Sequence, residues 1–284
     1  MSFEVLLSVV TGDNADQPVL DVAGSVAAQF RSQIDVLHVS EDPHSLPYLE
    51  AGVAPGVVAS IVAVVDEQIA ARKAKAKDTF SRWAKSAGLQ AEPRWIERTG
   101  TEQEIALQGR YADLIVIGRP AETDENLTTA LLSGTLEAAL FGTPRPVLLV
   151  PPVLKAAPTF AGAPVVVAWN GSLEADRAIG DAMPFLRDAS KVTIVFGEEG
   201  RRKIDADPHA LTDYLARHGI QAAFVKSKVE ASDAGRYILD EARKAGAGLL
   251  VMGAYTHSRL REFVLGGVTR HVSARAELPV FMTH

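Results

Sequence analysis

The chain has no cysteine in its 284 residues. Disulfides, thiolate nucleophiles and cysteine-ligated metals are therefore excluded, and histidine is the only soft ligand left. The seven histidines form no His-x-x-x-His and no His-Glu-x-x-His pair; His271 and His284 merely share the final helix and strand of the pattern. No metal site is expected. A basic excess is missing as well: the formal charge is −6 and the isoelectric point about 5.7, whereas binding to a phosphate backbone needs a basic face that releases counterions. Nucleic acid is not an expected partner. No apolar run approaches the roughly 20 residues that span a bilayer, and Met1, Ser2, Phe3 and Glu4 lack the basic start of a secretory leader. No membrane partner is expected, and the chain reads as cytoplasmic. Three catalytic signatures are also absent. There is no Gly-Lys-Ser/Thr phosphate loop, no Gly-x-Ser-x-Gly elbow, and no dinucleotide fingerprint in Val10-Thr11-Gly12-Asp13 or Asn170-Gly171-Ser172. Ser172, Asp233 and His257 make a triad only when collected from unrelated segments.

What is present is a globular balance of 47% hydrophobic and 23% charged residues, enough for one large domain or two ordinary ones. Val5 to Val10 reads as a buried strand, Ala15 to Phe30 as a helix with Val19, Val22, Val26 and Phe30 on one face, and Ile34 to Val39 as a second strand. After a Pro- and Gly-bearing loop, Ser40 to Gly56, a long amphipathic helix is expected over Val57 to Ala87. Its Ile61, Val65 and Ile69 face should lie on the sheet, with the end bearing Lys73, Lys75 and Lys77 projecting. The apolar stretch Pro47 to Gly56 is the expected cover beside it. Ala91 to Ile96, Leu114 to Ile117 and Pro146 to Val150 complete five strands, with a short helix over Glu102 to Tyr111. Trp95 is expected to pack beneath the long helix rather than to offer a stacking surface.

The pattern then repeats. Ala112 to Gly118 (ADLIVIG) matches Ala247 to Gly253 (AGLLVMG), and strands at Val165, Val192, Ala222, Leu249 and Pro279 follow the order of the first set. Helices are expected at Leu173 to Leu186, Pro208 to Arg217 and Asp233 to Lys244. Pro151 to Pro164 has the Pro, Ala and Gly content of a linker, which places one domain at 1–153 and the linker with a second domain at 154–284. The fold class is α/β: two tandem repeats of a doubly wound, five-stranded parallel sheet. A single ten-stranded sheet is the alternative arrangement. Arg201, Arg202 and Lys203 read as a solvated loop.

The stretch from Leu249 to Gly267 carries the candidate site. A strand buried on both faces ends at Gly253, and in open α/β sheets ligands gather at the carboxyl edge, where helix N-termini present unpaired N–H groups. His257, Ser258 and Arg259 add donors and charge there, and Gly266 and Gly267 leave backbone N–H groups unshielded. Close packing of a helix on the sheet is the other use for those two glycines.

These residues resemble the universal stress protein family, in its tandem, two-domain form, over essentially the whole chain. The family's nucleotide motif runs glycine, two residues, glycine, nine residues, glycine and a small hydroxyl residue. Gly253, Thr256, Gly266 and Gly267 stand at those places, so two of the four depart. ATP-binding members put an aspartate just after the first strand, where this chain has Asn170. In the first copy Gly118 is followed by Ala121, the loop is longer by two residues, Ser133 and Gly134 replace the final pair, and Thr11 stands where Asn170 does. The resemblance implies a Rossmann-like fold paired through its closing strands into a pseudo-dimer within one chain, with homodimerisation left open. It implies a stress-response regulatory protein that is not an enzyme, weak nucleotide hydrolysis staying open. The expected ligand is ATP or a related adenine nucleotide, bound only in the second domain by Asn170, Gly253, Thr256, His257, Arg259, Gly266 and Gly267. An unidentified protein partner is compatible with that role. The alternative is an interaction or small-ligand module that has lost nucleotide binding. Thr256 bears on the choice, because a β-branched residue resists the close approach that glycine permits.

Overall fold

A computed structural model of the chain describes residues 2–40, 42, 55–119, 125–197, 207–227, 233–254 and 267–284. Thr256, His257, Arg259 and Gly266, the charged run Arg201 to Lys203 and the apolar stretch 47–54 lie outside them. The first half runs β1 (Val5–Val10), α1 (Asp16–Phe30), β2 (Gln33–Ser40), α2 (Pro55–Ser86), β3 (Arg94–Thr99), α3 (Gln103–Gly109), β4 (Leu114–Gly118), α4 (Glu125–Gly142) and β5 (Val147–Val150). The second runs β6 (Val165–Trp169), α5 (Leu173–Asp181), α6 (Met183–Asp188), β7 (Val192–Gly197), α7 (Pro208–Arg217), β8 (Ala222–Ser227), α8 (Ala234–Lys244), β9 (Leu249–Gly253), α9 (Gly267–Arg275) and β10 (Val280–Thr283).

Within each half the strands are parallel, in the orders β3-β2-β1-β4-β5 and β8-β7-β6-β9-β10. The halves meet where β5 and β10 pair antiparallel, Val280 opposite Leu149 and Met282 opposite Val147. The expected pairing of closing strands thus joins two five-stranded units edge to edge into one sheet of ten. Both edges were apolar and needed a partner.

The central strands read as unbroken apolar runs because both of their faces are covered. In β4, Leu114 and Val116 belong to the core cluster on the α1 side of the sheet, which also holds residues of α2, α5 and α6, while Ile115 and Ile117 belong to the cluster on the α4 side, with residues of α3, α8 and α9. β9 repeats this, with Leu249 and Val251 on one side and Leu250 and Met252 on the other.

Two expectations need correction. The segment Leu173 to Leu186 is not one helix: it breaks at Ala182, ahead of Pro184 in the first turn of α6, since proline supplies no N–H to the preceding turn. The connecting segment also packs, for Phe160 is buried and its ring lies 5.3 Å from that of Phe185.

The long helix α2 docks by the opposite end from that expected. Ala76, Thr79, Phe80 and Trp83 are buried, whereas Ile61, Val65 and Ile69 stay half-buried and Val64 is 55% exposed. All these residues except Val64 lie on one stripe. Its 32 residues make a helix about 48 Å long at 1.5 Å per residue, longer than the sheet can cover. The aromatic end lies on the sheet, since burying Phe80 and Trp83 removes more apolar area from water than the valines and isoleucines would. The lysines flank that end: Lys73 pairs with Glu97 at 2.5 Å, and Lys77 Nζ lies 4.4 Å from the centre of the Trp95 ring. Trp95 itself packs under α2, 5.2 Å from Phe80, and stacks on His38.

Candidate functional site

In each half the strand order turns back on itself next to the first strand, between β1 and β4 and between β6 and β9. Crevices form at such switch points beyond the carboxyl ends of the strands. The two crevices have the same origin and different contents.

In the first half, the turn after β1 places Gly12 at φ +86°, a conformation that favours glycine. The N–H groups of Thr11 and Gly12, which an anionic ligand could use, donate instead to Oδ1 and Oδ2 of Asp16 at 2.8 and 2.9 Å. Asp16 is 2% exposed. Burial pushes its pKa up to about 6; the two backbone bonds and Lys75 pull it down, and Asp13 adds to the rise. Above this turn lies α2: a Cβ on Gly12 would stand 2.3 Å from the Arg72 carbonyl oxygen, and Lys75 Nζ donates to Asn14 Oδ1 at 3.2 Å.

Gly118 gives way to Ala15 and Val19 of α1, whose side chains a Cβ would meet at 2.8 and 3.0 Å. Gly134 sits inside α4 rather than at its start, so its N–H is committed to the helix. The Glu102 carboxylate lies 2.8 Å from where its Cβ would be. The first crevice is occupied by a helix backbone and edged by two carboxylates, and the Thr11 and Gly12 N–H groups of its turn are already committed to Asp16.

In the second half, Trp169 ends β6 buried and donates from Nε1 to Asp176 Oδ1 at 2.8 Å. Asn170, half-buried, accepts the Ser172 N–H on Oδ1 at 3.2 Å, and Gly171 turns the chain at φ +70°. Ser172 then caps α5, its Oγ accepting the Ala175 N–H at 3.2 Å. That helix start carries Glu174 and Asp176 in its first turn, which disfavours an anion there. Gly253 is a glycine for a packing reason, since a Cβ would stand 2.5 Å from Ala175 N of α5.

Gly267 differs. It is the first described residue of α9, no acid lies in the turn it begins, and a Cβ there would have no heavy atom of the described residues within 4 Å. Among the described residues close packing therefore does not explain Gly267, and it lies toward the N-terminal end of α9, the end of a helix that suits an anion. The structure brings Asn170, Gly253 and Gly267 to the same half, Gly253 lying against the start of α5 that follows Asn170. Among the described residues no group of three or more His, Asp or Glu side chains could hold a metal ion, and no helix is long and apolar enough to cross a membrane.

Sequence reasoning missed Asp16, Glu102 and Arg119. Asp16 and Glu102 looked like ordinary acids at helix starts. Arg119, beside Gly118, stands where the second copy has Ala254. That difference between the repeats was the available signal.

Residues 163–284 match the sequence model of the Universal stress protein family. A curated universal stress protein from Synechocystis is 26% identical over 181 residues, which are 61% of this chain and 58% of that protein. The chain thus spans under two thirds of that relative's length. Among solved structures, a universal stress protein from Archaeoglobus fulgidus superposes with a TM-score of 0.74 at 19% identity, covering 99% of this chain and 97% of that one. A protein of unknown function from Pseudomonas aeruginosa gives 0.62 at 16% identity, covering 99% and 92%. At these identities the likeness establishes the fold: an α/β architecture shared along both halves.

Proposed function

We propose that the second half binds an adenine nucleotide, ATP or a relative, and that the chain is a stress-response regulator acting through its nucleotide-dependent state rather than through turnover. In this reading residues 1–153 and 154–284 are the two domains, and only the second has an open site. The observation that supports it is the contrast between two equivalent glycines. Gly267, in the first described turn of α9, has no described heavy atom within 4 Å of its Cβ position, while Gly134 is held within α4 against Glu102. Gly253, Asn170 and Gly267, with Thr256, His257, Arg259 and Gly266 of the same loop, form the proposed cradle.

The test is calorimetric titration of ATP into the full chain and two variants. Gly267→Glu adds a side chain where there is room, at a helix end that tolerates a carboxylate. It should leave the fold intact and abolish binding by putting a charge where a phosphate would sit. Thr256→Gly should tighten binding, tenfold for about each 1.4 kcal/mol regained. A stoichiometry of one nucleotide per chain is expected. Undetectable binding in the wild type and in Thr256→Gly alike would refute the proposal. The interaction-module reading, supported by the half-buried stripe Ile61, Val65 and Ile69 on α2, would then take its place.

A further inference from the structure

The first half keeps a closed crevice of its own, yet it reaches into the second half at one point. Arg119 follows β4, and its guanidinium crosses the β5–β10 seam. Nη1 donates to the Ala274 carbonyl and Nη2 to the Ala276 carbonyl, the latter at 3.0 Å. These carbonyls lie at the C-terminal end of α9, where the last turn has no intrahelical donors and the helix dipole is negative. Burial lowers the Arg119 pKa, nearby Arg275 acts in the same direction and Glu277 opposes; an arginine nevertheless remains cationic. A positive charge thus caps the helix from the opposite half.

The device is one-sided. The backbones at the two equivalent positions do the same thing: Arg119 N donates to Val150 O and Ala254 N to Thr283 O, each at 2.8 Å. Ala254 has no arm to return, and α4 ends instead with Thr143 Oγ1 donating to its own Ala139 carbonyl at 2.7 Å. α4 and α9 also pack against each other across the seam.

The two ends of α9 are held unequally. Gly267, its first described residue, is exposed with no described residue near its Cβ position, whereas Val272, Ser273 and Ala274 are buried. The nine described residues of α9 are too few to persist as a helix on their own, and at about 1.5 Å per residue they make a rod on the order of 13 Å long. Order at its open end is therefore inherited from the anchored end.

We infer that Arg119 is a positioning residue: by clamping the C-terminal end of α9 it holds the N-terminal end, at Gly267, in the orientation that receives the anionic group of the ligand. This rests on the nucleotide reading of the same site. It also gives the first half a role that its closed crevice does not: it is the support on which the second half's site is aimed.

Hydrogen exchange and ATP titration on the full-length wild type, Arg119→Ala and Arg119→Lys test it. In Arg119→Ala, exchange over residues 267–276 should accelerate by about tenfold or more, with Val147–Val150 and Val280–Thr283 as protected as in the wild type. The ATP dissociation constant should rise by about three- to tenfold, the scale of a lost helix-end charge contact. Arg119→Lys, which restores the charge and one donor, should fall between. If the wild type binds ATP and Arg119→Ala changes neither α9 exchange nor affinity, the clamp is refuted and the nucleotide reading stands. If affinity falls only as β5 and β10 lose protection equally, Arg119 is a general structural residue and the inference is overturned. A wild type that binds no ATP removes the site and the aiming role together, and exchange in Arg119→Ala would still show whether the cap itself exists.

Discussion

Replacing Phe185 by alanine should weaken both halves at once. Phe185 is 1% exposed, on α6, and is the hub of an aromatic cluster. Its ring lies 5.2 Å from Phe3 and 5.1 Å from Phe30 in the first half, 5.3 Å from Phe160 in the connecting segment, and 6.0 Å from Phe281 in β10. Truncating a fully buried phenylalanine costs about 3 to 5 kcal/mol in lost transfer energy and cavity. Each well-placed ring pair adds roughly 0.5 to 1.5 kcal/mol beyond area burial, so the upper end of that range is expected here. Against a total stability of about 5 to 15 kcal/mol for a typical domain this is a large fraction. The assay is urea unfolding followed by tryptophan fluorescence, with Trp83 and Trp95 reporting on the first half and Trp169 on the second. All three are described in the core or packed against it, so variants keeping one reporter at a time separate the halves. Both transitions should move to lower denaturant together, because the cluster draws on both. A loss below about 1.5 kcal/mol, or a shift confined to the Trp169 reporter, would show that the rings do not join the halves.

Two further outcomes follow from single positions. Asp16 has its pKa raised by burial from 3.8 to about 6, so the folded state binds its proton more tightly than the unfolded state and the contribution falls as pH rises through that window. At about 1.4 kcal/mol per unit the stability of the wild type relative to Asp16→Asn should drop by on the order of 3 kcal/mol between acid and neutral pH; a difference independent of pH would refute this. Gly253→Ala should destabilise by about 1 to 3 kcal/mol through the 2.5 Å approach to the Ala175 amide, whereas Gly267→Ala should be neutral or gain up to about 1 kcal/mol of helix propensity. Equal effects in thermal melts of the two variants would contradict the packing difference between them.

The contents of the two crevices were only partly legible in the chain. Departures from the motif at Ala121, Ser133 and Thr11 indicated a weaker first copy, but not what fills it. That Arg72 lies over Gly12 follows from where α2 docks, and its docking end was misread because one apolar stripe runs from Ile61 to Trp83. Periodicity identifies the face of a helix, not which length of it meets the sheet. Gly253 and Gly267 looked alike in the sequence; only the position of α5 separates a glycine required by packing from one with no described neighbour at its Cβ position.

What the sequence determined by itself was everything local or repeated: the strands, through apolar runs bounded by glycine and proline; most helix spans, through periodicity; and the duplication of the unit, through ADLIVIG and AGLLVMG. Tertiary structure alone decided the long-range matters. These are the antiparallel joining of β5 and β10, the filling of the first crevice by Asp16, Arg72 and Glu102, and the reach of Arg119 to carbonyls more than 150 residues away. The physical reason is that propensity and hydrophobic period act over a few residues, whereas the burial of a carboxylate or the capping of a distant helix exists only once the sheet has brought the two halves together.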